Sequence, residues 1–364
     1  MKFENIPADI KSKSLKEARE EIDNIISKLE KNQNNLEEFK KNYERLMKLN
    51  NYVNVLYQRK MKDLTKNNKT KNWMYKKKLL INAKKIDLFL KKKLDNQKKT
   101  SLNLPMRYGL LSGGKKIRSS IIINSGKLYN LKLNKLINIC AAVECIHSYS
   151  LIHDDLPCMD NDRFRRGKLS THAKYGEATA VLAGNSLLTF AFEMITDPKF
   201  KIGHKSKLEL INKLAYYSGH EGIAGGQDLD LKFENKKKTL QEIISMQKKK
   251  TGKLFNFCCF AAACIANKNI KEKNKMGLIG EEIGLLFQIA DDMLDLKGSK
   301  KTLGKSAKKD KSKGKSTLVD HIGYKKTLNY AKNLQIKILR NLKKHGKKAN
   351  DLIKTVEFIL QRNY

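Results

Sequence analysis

The sequence predicts an all-α protein, and three observations support that prediction. Runs that alternate apolar and polar residues between hairpin turns, as strands do, are missing from the sequence. The chain contains only four prolines, which is consistent with long uninterrupted helices. Segments with apolar residues at helical spacing recur along most of the chain, near residues 76–95, 115–153, 177–195, 207–224, 239–266 and 276–296. We therefore predict a helical domain of about 290 residues.

The first 65 residues predict a separate helical hairpin. Ile22 and Leu29 follow a helical period, and Phe39 and Leu46 continue it after a polar break at 31–35. Two such helices are too thin to bury their apolar faces alone, so the hairpin is expected to need a further surface.

The segment between the hairpin and the helical domain is predicted to be a linker. Residues 66–75 are mostly polar and show no apolar periodicity. The predicted organisation is therefore a hairpin over 1–65, a linker over 66–75 and a helical domain over 76–364.

The charge of the chain is strongly positive, at +39, with 76 Lys and Arg against 37 Asp and Glu. The lysines are dispersed, which favours a general lysine bias over a dedicated nucleic-acid or membrane surface. Arginine is more informative because its guanidinium suits bidentate binding of phosphate or carboxylate. Half of the ten arginines fall within one window of sixty residues, namely Arg107, Arg118, Arg163, Arg165 and Arg166.

The apolar residues and the cysteines predict a cytoplasmic protein. No run of 18 or more apolar residues occurs, so no transmembrane segment is predicted. The N-terminal stretch lacks the apolar region of a secretory signal. The six cysteines form no C-x-x-C pair and have no histidine at zinc spacing, so we expect free thiols in a reducing compartment.

Two clusters of aspartates predict a metal site. The stretch LIHDDLPCMDNDRFRRG (151–167) contains Asp154, Asp155 and Asp160, and GLLFQIADDMLDLKG (284–298) contains Asp291, Asp292 and Asp295. On a helix, positions i, i+1 and i+4 project from nearly one face, where three carboxylates repel each other unless a cation lies among them. Such oxygen ligands favour Mg²⁺, and neither stretch has the loop of an EF-hand.

The proline in the first cluster predicts a local break. Pro157 disfavours a continuous helix, so we expect the helix to end or bulge there while Asp160 returns towards the same cation. A solvated helix end is the alternative for either cluster alone. Two clusters that each follow an apolar run favour the metal site.

Basic residues near glycines predict a phosphorylated ligand beside the metal. Lys115 and Arg118 follow a glycine pair, Lys250 and Thr251 lie at a Thr-Gly turn, and Lys305 lies in the polar loop after the second cluster. Metal ions and these cations together would neutralise a diphosphate. The two GKS tripeptides of that loop lack the spacing and the leading strand of a P-loop.

These motifs occur in the order seen in trans-isoprenyl diphosphate synthases. GGKKIR, DDLPCMDND with RRG, KTG, GGQDLDL and FQIADDMLD carry the resemblance, which covers roughly residues 76–364 and is similar to the bacterial farnesyl diphosphate synthase type. The resemblance implies the isoprenoid synthase helical bundle, with a central cavity and the two Asp clusters facing each other across its mouth. It also implies a homodimer that condenses isopentenyl diphosphate with dimethylallyl or geranyl diphosphate.

The same resemblance implies roles for individual residues. Three Mg²⁺ ions would be held by Asp154, Asp155, Asp160, Asp291, Asp292 and Asp295. The allylic diphosphate would be contacted by Arg165, Lys250, Thr251, Gln288 and Lys305. Isopentenyl diphosphate would be bound by Lys115, Arg118, His147 and Arg166. The chain departs from the family pattern at Asn185, in place of an aspartate, and at Ser119, in place of a proline.

Product length is predicted from the residue five positions before Asp154. The resemblance implies that a bulky aromatic there, Tyr149, closes the cavity floor. With the six-residue spacing from Asp154 to Asp160, it is similar to the farnesyl type, so the C15 product is predicted. Geranylgeranyl diphosphate, the C20 product, is the alternative.

The N-terminal hairpin resembles a different family. Residues 14–64 are similar to the small subunit of exonuclease VII. The shared pattern begins with a helix that ends in Leu-Glu and a polar turn. It continues with Leu-Glu-Glu and the pair Tyr43 and Glu44, and it ends with a second helix. The resemblance implies binding to a large nuclease subunit without catalytic residues of its own. An unrelated helical extension is the alternative.

Two further functions stay open from the sequence. The chain could be a nuclease-assembly or nucleic-acid-binding protein with a functional basic surface, although no direct nucleic-acid contact is expected from the synthase domain. A terpene cyclase is the other alternative, but it would not need the isopentenyl site at Lys115 and Arg118.

Overall fold

The computed structural model of the chain describes residues 6–31, 36–301 and 316–361. The chain forms two compact units, Met1–Met74 and Tyr75–Tyr364. Helices make up almost all of the regular structure, which confirms the predicted all-α fold class.

The first unit is a helical hairpin. It contains α1 (Ala8–Lys11), α2 (Leu15–Lys31) and the first part of α3 (Leu36–Asp95). A capping box starts α2: the Ser14 N–H donates to Glu17 Oε2 at 2.7 Å, and the Glu17 N–H donates to Ser14 Oγ at 3.3 Å.

Side chains of α3 hold the hairpin together. The Tyr52 hydroxyl donates to the carbonyls of Lys11 and Lys13, at 2.8 and 2.9 Å. Arg45 pairs with Glu21 through its Nε at 2.6 Å and with Asp9 at 2.7 Å. Among the residues of this unit whose burial the structure describes, the buried ones are Ile6, Ile10, Ala18, Ile25, Leu49 and Tyr52.

The predicted linker is helical. Residues 66–75 lie inside α3, which runs without interruption through them. The sequence of α3 contains neither glycine nor proline, and lysine and asparagine do not stop a helix. This segment lacks the apolar periodicity from which a packed helix is predicted, but its residues still adopt a helical backbone.

The second unit is a bundle of long helices. Its elements after α3 are α4 (Asn103–Leu110), α5 (Ile117–Leu128), α6 (Ile137–Asp154), α7 (Thr171–Tyr175), α8 (Glu177–Thr196), α9 (His204–Ser218), α10 (Ile223–Phe233), α11 (Leu240–Gln247), a π-helical turn (Lys248–Gly252), α12 (Lys253–Ile265), α13 (Ile270–Lys301), α14 (Leu318–Lys343) and α15 (Asn350–Gln361). Short 3₁₀ turns occur at Leu133–Lys135 and Gly346–Ala349.

The core of this bundle is built on α6 and α12. Both are buried along almost their whole length, and α12 is buried at every position from Leu254 to Ile265. A helix that is apolar all round lies inside a protein rather than on its surface. The packing of α6 on α8 and of α12 on α13 therefore fixes the helices that carry the Asp clusters.

A small β-hairpin follows the first Asp cluster. Strands β1 (Phe164–Arg165) and β2 (Lys168–Leu169) pair antiparallel, with Phe164 opposite Leu169. The two central residues, Arg166 and Gly167, have φ of 52° and 76°, as a type I′ turn requires. Strands of two residues are too short to produce an alternating pattern, so the sequence did not predict them.

Helix α8 has the length and apolar composition of a membrane span, although no such segment was predicted. Its residues Ala183, Leu187 and Phe190 are buried in the core. Core helices have the same composition, so one such helix is weak evidence for a membrane.

Candidate active site

A cavity of about 650 Å³ opens between α5, α6, α10, α13 and the π-helical turn. A volume of this size suits a small-molecule ligand. Most of the predicted site residues line it, namely Lys115, Arg118, His147, Asp154, Asp160, Arg165, Arg166, Lys250, Thr251, Gln288, Asp291 and Asp295. Asp155, Tyr149 and Asp292 are not among the lining residues, and Lys305 lies outside the described residues.

The first Asp cluster lies where α6 ends. The helix stops at Asp154, and the chain then turns back so that the Asp160 N–H donates to the Asp154 carbonyl at 2.8 Å. Asn161 adopts φ of 49° within this turn. Both Asp154 and Asp160 line the cavity as a result.

Asp155 points to a different partner. Its carboxylate is 2% exposed and accepts two hydrogen bonds from Arg165 Nε, both at 2.8 Å, while Arg165 Nη2 lies 2.5 Å from Oδ1. Consecutive helical residues are about 100° apart, so Asp154 and Asp155 do not face the same way. Burial raises the pKa of Asp155, and the bonds from Arg165 oppose that rise. The structure thus uses Asp155 to orient Arg165 and does not bring it to the cavity.

The second Asp cluster lies inside a continuous helix, because α13 runs on to Lys301. Asp291 and Asp295, four residues apart, line the cavity. Asp292 is 6% exposed and accepts hydrogen bonds from Gln247 Nε2 at 2.8 Å and Gln288 Nε2 at 2.9 Å. It borders a smaller cavity of about 90 Å³ instead.

A hydrogen-bond relay links this cluster to the π-helical turn. Thr251 Oγ1 donates to Gln288 Oε1 at 3.0 Å, and Gln288 in turn donates to Asp292. The Thr251 hydroxyl and the Gln288 amide are therefore held in one orientation by Asp292, which lies behind them.

The carboxylates that line the cavity fit Mg²⁺. Asp154 and Asp160 come from one wall and Asp291 and Asp295 from another. Within the described residues, no three His, Cys, Asp or Glu side chains lie close enough together to hold a metal by themselves. Mg²⁺ characteristically takes one or two carboxylates and completes its shell with water and phosphate oxygens. The donor set matches that mode of binding.

The β-hairpin sends its two arginines to different places. Arg165 goes to Asp155, whereas Arg166 Nη1 donates to the Gly113 carbonyl and to Ser112 Oγ, the latter at 3.3 Å. Gly114 has φ of 110°, and a Cβ there would lie 2.8 Å from Arg166 Nη1. The predicted glycine pair therefore makes room for the guanidinium beside the cavity.

A buried carboxylate that was not predicted lies among the cations. Glu144 is 2% exposed, lines the cavity and accepts a hydrogen bond from Ser119 Oγ at 2.7 Å. Lys116 Nζ lies 3.7 Å from Glu144 Oε2 and donates to the Leu110 carbonyl at 3.1 Å. Glu144 lies three residues before His147 on α6, so helical spacing from a predicted residue was the available signal.

The protonation of His147 follows from its surroundings. Burial lowers the pKa of His147 well below its ordinary value, and the neighbouring charges of Arg118 and Arg166 lower it further. The imidazole is neutral at pH 7. It offers a ligand one N–H donor without adding to the positive charge of the wall.

Lys250 lies on the π-helical turn and pairs with Asp230. Its Nζ donates to Asp230 Oδ2 at 2.6 Å. Helix α10 packs closely on this turn because residue 226 is glycine: a Cβ there would lie 2.2 Å from the Lys250 nitrogen. Asp230 and Gln227 belong to the motif GGQDLDL, and no role was predicted for either of them.

Tyr149 is buried between α6 and α9. Its hydroxyl donates to the Ser218 carbonyl at 3.1 Å, and its ring meets His153 edge-on at 5.7 Å between centroids. Burial raises the pKa of Tyr149 to about 12, so the hydroxyl keeps its proton at neutral pH.

Comparisons with known proteins identify the family of the chain. The polyprenyl synthetase family matches residues 99–359. Farnesyl diphosphate synthase of Bacillus subtilis strain 168 is 43% identical over 218 residues, which is 60% of this chain and 74% of that protein. The matched family region does not include the N-terminal hairpin.

Solved structures show the same fold. The apo structure of an FPP/GFPP synthase from Zymomonas mobilis is 33% identical with a TM-score of 0.71, covering 79% of this chain and 99% of that one. A geranyltransferase from Helicobacter pylori, complexed with magnesium and isoprenyl diphosphate, is 26% identical with a TM-score of 0.64, covering 79% and 96%. The present chain is a prenyltransferase and belongs to the polyprenyl synthetase family.

Proposed function

We propose that this prenyltransferase makes farnesyl diphosphate by condensing isopentenyl diphosphate with dimethylallyl and then geranyl diphosphate. The observation that carries the proposal is the presence, in one cavity, of four lining aspartates and of cations at two separate places. Lys250 lies on the π-helical turn, and Lys115, Lys116 and Arg118 lie at the start of α5.

The allylic diphosphate is proposed to lie between the two Asp clusters. Asp154, Asp160, Asp291 and Asp295 would hold Mg²⁺, which neutralises the diphosphate and makes it a better leaving group. Lys250, tethered by Asp230, and the Thr251–Gln288 relay would hold the same group from the side of α10 and α13. The magnesium of the Helicobacter pylori neighbour supports this assignment.

Isopentenyl diphosphate is proposed to lie on the cationic wall. Lys115, Arg118 and Arg166 supply positive charge, and neutral His147 supplies one hydrogen bond. Glu144 and Ser119 brace this wall from behind. Arg165 lies at the junction of the two subsites and is oriented by Asp155.

The reaction follows from this placement. The allylic C1–O bond breaks and its electron pair leaves with the diphosphate, giving an allylic cation. The double bond of isopentenyl diphosphate supplies the electrons of the new carbon–carbon bond at C1. A proton is then lost from C2 of the isopentenyl unit to the released diphosphate. Ile223, Leu151 and Phe287 give the cavity an apolar lining that keeps water from the cation.

The C15 product is proposed because of Tyr149. Its ring is buried, and its hydroxyl is tied to α9 through Ser218, so it can act as a fixed floor. The farnesyl diphosphate synthase among the relatives supports this choice over geranylgeranyl diphosphate.

The test is a product assay on the purified full chain with Mg²⁺, geranyl diphosphate and labelled isopentenyl diphosphate. We expect a C15 product that disappears when EDTA removes the metal and returns when Mg²⁺ is restored. A C20 product would sink the chain-length proposal alone, whereas no isoprenoid product in Mg²⁺ would sink the proposed function.

Two predicted assemblies remain proposals. A homodimer is supported by α4 and α8, which pack together and expose Leu104, Val181 and Leu182. Light scattering on the wild type and Leu182→Glu tests it, since a monomeric wild type contradicts it.

A role for residues 1–65 with an exonuclease VII large subunit is supported only by the helical hairpin of the first unit. Co-purification of the full chain with that subunit tests it. Steep salt-dependent DNA binding by the chain alone would instead favour the nucleic-acid alternative.

A further inference from the structure

We propose that the outer face of α3 between residues 76 and 92 docks on the surface of a membrane that contains anionic lipid. This part of α3 belongs to the second unit of the chain, and its residues do not line the cavity. None of the predicted roles involved it. The proposal does not depend on which isoprenoid the chain makes.

The first observation is that this part of α3 carries apolar residues on both of its faces. The inner face is formed by buried residues, namely Leu79, Ala83, Ile86, Leu90 and Leu94. The outer face exposes Leu80, Ile81 and Leu88, at 61, 49 and 58%. A surface helix normally keeps polar residues on the side away from the core. Single exposed leucines are common on soluble proteins, but these three residues lie within three turns of one helix and form a patch.

Lysines lie on both sides of this patch. At about 100° per residue, Ile81 and Leu88 fall between two rows of exposed lysines. The rows are Lys77, Lys84 and Lys91 on one side and Lys85 and Lys92 on the other. A lysine lays its methylene stem along apolar surface while its ammonium group stays in water. The outer face is therefore apolar along its middle and cationic along both edges.

The positive charge of the outer face is directed to an outside partner. Residue 87 is the only acidic residue between 76 and 92, and Asp87 Oδ1 lies 3.5 Å from Lys116 Nζ. Lys78 pairs with Asp351 of the bundle at 2.7 Å. The outer lysines differ, because four of them form no ion pair with any residue that the structure describes, namely Lys84, Lys85, Lys91 and Lys92.

The combination of charge and apolar surface selects the partner. A second copy of the same face would bring lysines against lysines. Single-stranded nucleic acid stacks its bases on aromatic side chains, whereas this patch is aliphatic. An anionic bilayer meets both requirements, because its headgroups attract lysine and its acyl boundary accepts leucine and isoleucine. A general lysine bias, which the sequence favoured, accounts for the exposed lysines but not for the apolar patch between them.

The test measures binding of the purified full chain to lipid vesicles by co-flotation. Vesicles of phosphatidylcholine alone are compared with vesicles that contain about one third phosphatidylglycerol. We expect binding only to the second kind, and weaker binding at high salt, which screens the charges. Lys84→Gln combined with Lys91→Gln should raise the Kd on the order of 10-fold.

An apolar double variant shows whether the patch itself enters the bilayer. Ile81→Ser combined with Leu88→Ser keeps every charge of the chain, so it separates lipid insertion from attraction between charges. It should raise the Kd on the order of 10-fold, because two side chains no longer leave water on docking.

Leu208→Ser combined with Leu278→Ser is the matched control. These leucines are 68 and 61% exposed, but they lie on two different helices, α9 and α13, so helical spacing does not place them on one face. The control should bind vesicles as the wild type does. Prenyl transfer in vesicle-free solution should be unchanged in both double variants.

Several results would overturn the proposal. The wild type could fail to bind phosphatidylglycerol vesicles, or the apolar variant could bind them as tightly as the wild type, which would leave charge as the only cause. An equal loss of binding in the control would remove the special role of α3. A dimeric wild type that becomes monomeric in the apolar variant would assign the patch to a contact between copies. An inactive wild type would reject the proposed function and leave this proposal standing.

Discussion

The two Asp clusters read alike in sequence but are built differently. The first lies at the end of α6 and needs a turn after Pro157 to bring Asp160 back to Asp154. The second lies inside α13, where the helix alone brings Asp291 and Asp295 to one face. In both, the middle aspartate turns away from the cavity, towards a guanidinium in one case and two amides in the other. In each aspartate pair, therefore, one residue lines the cavity and the other accepts hydrogen bonds from neighbouring side chains.

The largest expected effect is a loss of activity when an aspartate that lines the cavity is replaced. Asp154→Ala and Asp291→Ala should each lower kcat/KM on the order of 1,000-fold, because each removes a carboxylate from the metal–diphosphate site. Labelled-substrate assays measure this loss. Asp228→Ala is the control, since Asp228 is an exposed residue of α10 that pairs with exposed Lys232 and does not line the cavity. Equal activity of Asp154→Ala and Asp228→Ala would contradict the division of roles.

The two middle aspartates should differ in stability. Asp155→Asn leaves the partly buried Arg165 guanidinium with Asp162, at 4.0 Å, as a weaker counter-charge. We expect this to cost roughly 2–3 kcal/mol of unfolding free energy, below the value for fully buried pairs that lose their only partner. Asp292→Asn leaves two neutral amides less well satisfied and should cost about 1–2 kcal/mol. Urea denaturation of both variants measures the difference. The reverse order would mean that the amide network is the stronger support.

The two helices that carry the Asp clusters also differ in a second proposed role. On α6, Tyr149 is proposed to limit the chain length of the product, and no such role is proposed for a residue of α13. Tyr149→Ala should move the main product from C15 to C20 or longer, because it opens the space between α6 and α9. Tyr149→Phe keeps the ring and removes only the bond to the Ser218 carbonyl, so it should give mostly C15 with a minor longer product. Chromatography of the products checks this, and identical products from wild type and Tyr149→Ala would contradict the floor.

The smallest expected effect is a pH dependence of the unfolding free energy that results from His147 on α6. Its folded pKa lies below the unfolded value, so the unfolded chain binds more protons between the two values, and stability falls as pH drops below about 6.5. The slope from this residue is at most about 1.4 kcal/mol per pH unit. Urea titrations at pH 7 and pH 5 should show a shallower fall in His147→Gln than in the wild type.

Features that depend on residues close together in the sequence were predicted better than those that depend on residues further apart. Helical periodicity predicted the bundle, and the family resemblance implied that Asp154, Asp160, Asp291 and Asp295 share a site. The pairing of Asp155 with Arg165 depends on a hairpin of two-residue strands, which leaves no pattern in the sequence. The helix through residues 66–75 was missed because it lacks apolar periodicity. Glu144 was missed because its helical spacing from His147 was the available signal, and that spacing was not followed.

The hairpin after the first cluster makes this part of the chain intolerant of insertions and deletions. Neighbouring residues of a strand project to opposite faces, so a shift of one position in the pairing exchanges their directions. Such a shift between Phe164 and Leu169 would turn Arg165 to the opposite face of the hairpin, away from Asp155, and would move Arg166 out of the turn that holds it beside Gly113. A one-residue indel here would therefore alter both proposed substrate pockets at once, although neither arginine had been replaced.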